Sequence, residues 1–360
     1  MSKHFVKNIS FENFKCFKEL KYDGFKRVNL IGGKNNIGKT SFMEGLNLAL
    51  SSNNVNQLYL NINEILIKRR KESKYYELDF IYSNEDNLSI HYNKYNLKIH
   101  INSDYKKFFD KNKKLSNIDR RKIQNFLERG YKDFLELKVN KEKDYFPAMY
   151  YKMDNREYIL ARSRIRDMKS VGNNIIFIPP LSIDENKIAA YYGNIVNLNM
   201  ESYIDKCLKL FDENIIRLKQ LALELENKVI LKLQMKDIEA PILLSSLGEG
   251  INRYLAILCA IWASKYGYLF IDEIENGIHY TNYSKLWELI FSISKEANCQ
   301  IFATTHSKEC ISAFNKQNSS NEGLYLEFYR NKKTNLINIK GRDNKLLEYS
   351  LNNNGEFRGE

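Results

Sequence analysis

Eight consecutive residues, Gly33-Lys34-Asn35-Asn36-Ile37-Gly38-Lys39-Thr40, have the types and spacing needed to hold a string of phosphates. Gly33 and Gly38 let the backbone curl so that successive N–H groups point inward at one phosphate. Lys39 reaches the outer phosphates, and the Thr40 hydroxyl, followed by Ser41, suits a divalent cation. A helix opening at Thr40 adds its positive dipole end to the same place. An apolar strand before the loop and a helix after it are the context such a loop requires, and both are present.

Two further groups of residues fit the same chemistry. Tyr268-Leu269-Phe270-Ile271 reads as an apolar strand closing on Asp272 and Glu273. Such a strand can deliver an aspartate to a metal shell, and the next glutamate is the natural general base or water-orienting group. By itself it is an ordinary buried strand ending in solvated charges. Ser245-Ser246-Leu247-Gly248-Glu249-Gly250 stands before a long apolar helix and, read alone, is a serine- and glycine-capped helix start. The strand Cys299–Thr304 then runs into Thr305-His306.

The elements that must position these groups follow from periodicity. Phe5–Phe11 alternates loosely, Arg27–Ile31 is a short apolar strand, and a helix runs from Thr40 to Leu50. Residues 53–172 differ in character. Strand-like stretches at Tyr75–Tyr82, Leu88–His91 and Leu97–Ile101 precede a lysine-rich stretch expected to be helical over Ile118–Leu135. Scarcity of Gly and Pro there argues against a flexible linker. Ile175–Ile178 is a buried strand stopped by Pro179 and Pro180. Residues 201–226 carry a helical stripe of Ile204, Leu208, Phe211, Ile215 and Leu218, with a strand at Val229–Leu233. Helix (Ile251–Lys265), strand, helix (Ser284–Ala297) and strand then alternate, which argues for an α/β sheet covered on both faces. The last twenty or so residues are polar, with loose order expected.

The order of the motifs (phosphate loop, Ser-x-Gly-Glu, Asp-Glu, strand ending in Thr-Thr-His) resembles that of ABC-type ATPases. Within them the chain is similar to the RecF/SMC-like branch and to the ATPase portion of the overcoming-lysogenisation-defect (OLD) family. Ile9–Phe17 resembles that family's opening strand, and Gly-x-Asn-Asn-x-Gly-Lys-Thr is a form its phosphate loop often takes. Ile271–His279 and Phe302–Ser307 resemble its later blocks. The resemblance implies an ABC-type P-loop NTPase head, an α/β fold with a mixed sheet flanked by helices and a mixed β/α insertion. It implies a discontinuous core over 1–52 and 173–345, an inserted subdomain over 53–172 and a polar tail over 346–360. It implies ATP and Mg²⁺ as cofactors and a composite site in a head-to-tail dimer. Lys39, Thr40, Asp272, Glu273 and a γ-phosphate-sensing His306 would come from one subunit; Ser246, Gly248 and Glu249 would come from the other. His279 falls where the family's dimer-contact loop lies. Gln57 and Gln124 are the glutamines over 53–180, and nothing assigns either as the metal-sensing residue.

Two departures shape the functional expectation. Too few residues separate Thr40 from Ser246 for the long coiled-coil arms of SMC proteins, and no heptads run through them. After His306 there is no Glu plus Asp-x-Asp set, so the TOPRIM nuclease domain of OLD proteins is not expected, and a nuclease would be another chain. The resemblance thus implies an ATPase serving a separate effector in prokaryotic anti-phage defence. The alternative is a RecF-like DNA-binding ATPase of repair or recombination. A transporter subunit fits the opening strand and the Asn36-containing loop less well.

Bulk properties bound the rest. The chain of 360 residues is 43% hydrophobic and 28% charged, an ordinary globular balance. No apolar run reaches the ~20 residues of a membrane span, and no secretory segment opens the sequence, so a cytoplasmic location is expected. The scattered Cys16, Cys207, Cys259, Cys299 and Cys310 form no disulfide framework or zinc pattern. The formal charge of +12 makes DNA a candidate partner, and lysines concentrate at Lys68–Lys74, Lys106–Lys114 and Arg156–Lys169. AT-rich coding would enrich Lys, Asn, Ile and Tyr in the same way, so both readings of the charge stay open.

Overall fold

The computed structural model describes residues 4–69, 81–82, 85–131, 133–147, 174–181, 183–223 and 228–353. In chain order, β1 (Asn8–Phe14) and β2 (Phe17–Asp23) form a hairpin, and β3 (Val28–Gly33) leads into α1 (Lys39–Ser51) and α2 (Val55–Arg69). There follow β4 (Asn87–Tyr92), β5 (Tyr95–Asn102), α3 (Tyr105–Lys111), α4 (Asn117–Glu128), β6 (Phe134–Val139) and β7 (Glu142–Pro147). Then come β8 (Ile175–Ile178), α5 (Glu185–Asn197), α6 (Glu201–Phe211), β9 (Ile215–Leu223), β10 (Lys228–Met235) and β11 (Ile242–Leu243). The remainder is α7 (Glu249–Ala263), β12 (Tyr268–Ile271), α8 (Tyr283–Glu296), β13 (Gln300–Thr304), α9 (Lys308–Gln317), β14 (Gly323–Arg330), β15 (Ile337–Arg342) and α10 (Asn344–Asn352).

The sheet that positions the site has the order β15-β14-β3-β13-β12-β8, parallel except for the β14–β15 pair. Its side chains alternate between two cores. Leu30, Leu269, Ile271, Ile301 and Ala303 pack on one face with α5, α7 and α8 residues. Ile31, Phe270, Phe302, Leu324 and Leu326 pack on the other with α1 and the β1–β2 hairpin. Burial on both faces explains why these strands read as unbroken apolar runs. A mixed α/β architecture flanked by helices is thus observed as expected.

The second sheet is antiparallel, in the order β2-β1-β4-β5-β6-β7. It joins strands from either side of residue 52, with Phe11 opposite Ile90. α3 and α4 close a small aromatic core around Phe108, Phe134 and Tyr145. The third sheet is the three strands β11-β10-β9.

Three local expectations are corrected. The stripe over 201–226 is not one helix: α6 ends at Phe211 and β9 begins at Ile215. The Asp212 carboxylate accepts from Asn214 N at 2.9 Å and makes the turn. In β9, Arg217 faces Gln234 and Ile215 faces Met235, so Ile216 is a bulge. The bulge puts Ile215 and Leu218 on the same buried side, and that three-residue spacing imitates a helix. The second correction is at Ile118–Leu135, where helix stops at Glu128 and strand begins at Phe134. Gly130, at φ +81, ends it, with Tyr131 N bonding Phe126 O and Gly130 N bonding Leu127 O. Third, the loose order expected near the C-terminus gives way to α10, capped by the Asp343 carboxylate on Leu346 N and anchored by buried Leu347. The strand expected over Tyr75–Tyr82 lies outside the described residues except for Ile81, which bridges Phe14, and Tyr82. Most of the lysine stretches at 68–74 and 156–169 also lie outside them. Among the described residues no helix is long and apolar enough to cross a membrane.

Candidate active site

The three parallel strands β3, β13 and β12 lie side by side and end at one edge of the sheet, where open α/β sheets place their ligands. β3 leads into the phosphate loop. Gly33 has φ +135, and a Cβ there would lie 2.5 Å from the Phe328 carbonyl oxygen on the neighbouring strand. Gly38 has φ +93, and its missing Cβ leaves room for Cys16 Sγ, 2.6 Å from the position a Cβ would take. Lys34, Asn35 and Asn36 are exposed along the loop, Asn36 in the left-handed region, while Ile37 is buried and anchors it. Burial raises the pKa of the Cys16 thiol, and the Ser41 hydroxyl pulls it back. α1 starts with no side-chain cap and no acid in its first turn, so its leading amides are available to an anion.

Lys39 is buried within this loop. Its Nζ donates to the Gly33 carbonyl at 2.8 Å and to the Lys34 carbonyl at 2.9 Å, and lies 3.4 Å from His306 Nδ1. Burial lowers its pKa to about 8, opposed by the charges of Asp272, Glu273 and Glu275.

The carboxylates gather around it. Asp272, 5% exposed, accepts from Thr304 Oγ1 at 2.6 Å and from Thr40 Oγ1 at 3.1 Å. Burial raises the Asp272 pKa, and those two hydroxyls pull it back. Glu273 follows in the left-handed region, φ +49, with its N–H on Thr304 Oγ1 at 2.8 Å. Its Oε2 accepts from Asn276 Nδ2 at 2.6 Å, and its Oε1 lies 3.8 Å from His306 Nε2. Burial, then Lys39, lower the His306 pKa, so the ring is neutral near pH 7. Glu275 Oε1 accepts from His306 N at 2.6 Å. Lys39, Thr40, Asp272, Glu273 and His306, named from sequence as one set, are therefore together.

Ser246, Gly248 and Glu249 belong to the start of α7. Ser246 closes a short 3-10 turn over Leu244–Ser246, Gly248 caps α7 without a side-chain bond, and all three residues are exposed. Among the described residues no hydrogen bond joins them to the phosphate loop. Gly248 and Glu249, with Ser245, border a cleft of about 530 Å³ reaching Pro180, Asn276 and Gly277. His279 is exposed and bonds Thr281 Oγ1 at 2.9 Å, and Gln124 is exposed on α4. Sequence reasoning missed three contributors. Thr304 bridges Asp272 and the Glu273 N–H. Asn276 holds Glu273 at the i+3 spacing of a tight turn. Arg253 stands alone as a cation in the apolar run of α7, which was its signal.

This geometry is that of a P-loop ATPase of the ABC type. Residues 178–311 match the AAA ATPase domain family. Over 331 residues the chain is 28% identical to an ATP/GTP phosphatase of Helicobacter pylori, covering 85% of this chain and 86% of the relative. Over 86 residues it is 34% identical to an uncharacterized protein of Methanocaldococcus jannaschii, covering 24% and 39%. The structure is similar to that of an Smc head solved with the C-winged helix domain of ScpA. The TM-score is 0.50 at 14% identity, over 94% of this chain and 98% of that one. The chain thus has an ABC-type P-loop ATPase fold like that of an Smc head, and the family match marks it as an ATPase.

Proposed function

We propose that ATP is hydrolysed at a composite site formed by two copies of this chain arranged head to tail. The observation carrying it is the Thr40–Asp272–Thr304 hydroxyl–carboxylate chain beside Lys39, at the carboxyl ends of adjacent strands. Lys39 exchanges two loop carbonyls for phosphate oxygens. Thr40 Oγ1 and Asp272 Oδ2 offer the hard oxygens that suit Mg²⁺, which when bound neutralises charge on the β- and γ-phosphates. Glu273, with one oxygen held by Asn276, orients and deprotonates the attacking water. His306, neutral and next to Lys39, reads the γ-phosphate. Gly33 to Ser41 wrap the phosphates.

Ser246 and Gly248 of the second copy close on the γ-phosphate. Their exposure and the uncapped start of α7 suit an anion arriving from outside. The phosphatase name of the Helicobacter pylori relative supports hydrolysis of a nucleoside triphosphate. Closing and opening with ATP makes the protein a switch, and the resemblance to the OLD family supports a separate effector, a nuclease, in anti-phage defence. The inserted region 53–172 is its docking surface. The second reading, a DNA-binding ATPase of repair, has the formal charge of +12 in its favour. Size-exclusion chromatography with light scattering tests the composite site: Glu273→Gln should form a dimer with ATP and a monomer without it. A Glu273→Gln chain that binds ATP and stays monomeric would reject the site shared between copies.

A further inference from the structure

Arg253 lies in the second turn of α7, 4% exposed, in an otherwise apolar stretch of helix. A guanidinium costs several kcal/mol to bury unless its donors are used. Here the fork grips the backbone. One terminal nitrogen donates to the carbonyls of Asp272 at 2.6 Å and Glu273 at 2.7 Å. The other donates to the carbonyls of Pro179 at 2.9 Å and Pro180 at 3.4 Å. One side chain thus ties the helix that begins at the Ser246–Glu249 segment to the ends of β8 and β12.

The residue it holds is in a costly conformation. A left-handed glutamate is disfavoured by roughly 1–2 kcal/mol and persists only where its surroundings over-determine it. At Glu273 the N–H is fixed by Thr304, the carboxylate by Asn276, and the carbonyl by Arg253 and Asn276 N. Of these anchors, Arg253 is the one that comes from α7.

We infer that Arg253 is the positioning residue through which the α7 start sets Glu273 for hydrolysis. It acts on the carbonyl side of the Asp272–Glu273 turn without touching nucleotide. A phosphate docking on the exposed Ser246–Glu249 segment biases α7, and the Arg253 fork passes that bias to the turn bearing the base. Occupancy of one site is thereby reported to the Glu273 of the same copy, which serves the other site. The inference rests on Glu273 acting as the base.

The test is ATPase kinetics of Arg253→Lys, with Arg253→Gln as a second variant, alone and combined with Glu273→Gln. Each is assayed below its own melting midpoint. Lysine keeps the charge but cannot serve four carbonyls as a fork. We expect kcat to fall about tenfold or more in Arg253→Lys, and further in Arg253→Gln, with KM for ATP unchanged within about twofold. In the Glu273→Gln background, Arg253→Lys should cost nothing more, because both act on one step. Wild-type kcat in either folded Arg253 variant, or a loss that multiplies with that of Glu273→Gln, would overturn the inference. Wild-type turnover in Glu273→Gln alone would instead reject the base itself.

Discussion

The Lys39 ammonium lies 2.8 Å from the carbonyl oxygen of Gly33, the residue that opens its own phosphate loop. The lysine is thus pre-aimed, and binding swaps neutral carbonyl partners for charged phosphate oxygens. Its pKa, about 8 in the free site, must rise when phosphates arrive, so the protonated form is the one that binds. Affinity is therefore full below pH 8 and falls as pH rises above it, by up to about tenfold per unit. ATP titrations in EDTA at pH 7 and pH 9 should show Kd about tenfold weaker at pH 9. Lys39→Ala should lose most binding at both, and a Kd in the native chain that is flat across this range would reject Lys39 as the titrating contact.

Thr304 carries a second expectation. Its hydroxyl donates to Oδ1 of the buried Asp272 and accepts from Glu273 N, so the isosteric Thr304→Val takes this partner from both, leaving Asp272 only its Thr40 bond on Oδ2. Urea denaturation should show a loss of about 1–3 kcal/mol, with kcat reduced because the Glu273 turn loses an anchor. Native stability together with native kcat would show that this bridge is incidental.

Much of this site could be read from the chain alone. The phosphate loop was legible because its glycines have a backbone reason, and the strand ending at Asp272 because burial on both faces leaves an apolar run. Arg253 and Asn276 were not, since their partners are backbone carbonyls and a turn brought close only by the fold. Likewise β9 hid behind a bulge: Ile215 and Leu218 share a face because Ile216 is skipped in the pairing. The exposed segment at Ser246 was legible as a helix start, but that no hydrogen bond among the described residues joins it to the phosphate loop within one copy is a tertiary fact.

Ser246→Arg tests the contribution of the second copy. The residue is exposed, so the variant should fold with a native melting temperature. A long side chain at the docking surface should abolish the ATPase activity that depends on protein concentration. Mixing it with Glu273→Gln should restore at most one working site per dimer. Full activity of Ser246→Arg alone would contradict a site shared between copies.

The effector reading makes its own expectation. Purified protein should leave supercoiled and linear DNA intact with Mg²⁺ or Mn²⁺, and should co-purify with the product of a neighbouring gene when both are expressed. Cleavage by the lone chain, abolished by a carboxylate substitution outside Asp272 and Glu273, would place the nuclease in this protein.

Hydrolysis itself turns on Glu273. ATP binding and steady-state turnover should be measured on the same preparation of Glu273→Gln. Its Kd should match the native chain within a few-fold, since Lys39 and the loop carry the binding, while kcat falls by about 10²–10⁴. Near-native turnover in this variant would show that Glu273 is not the base.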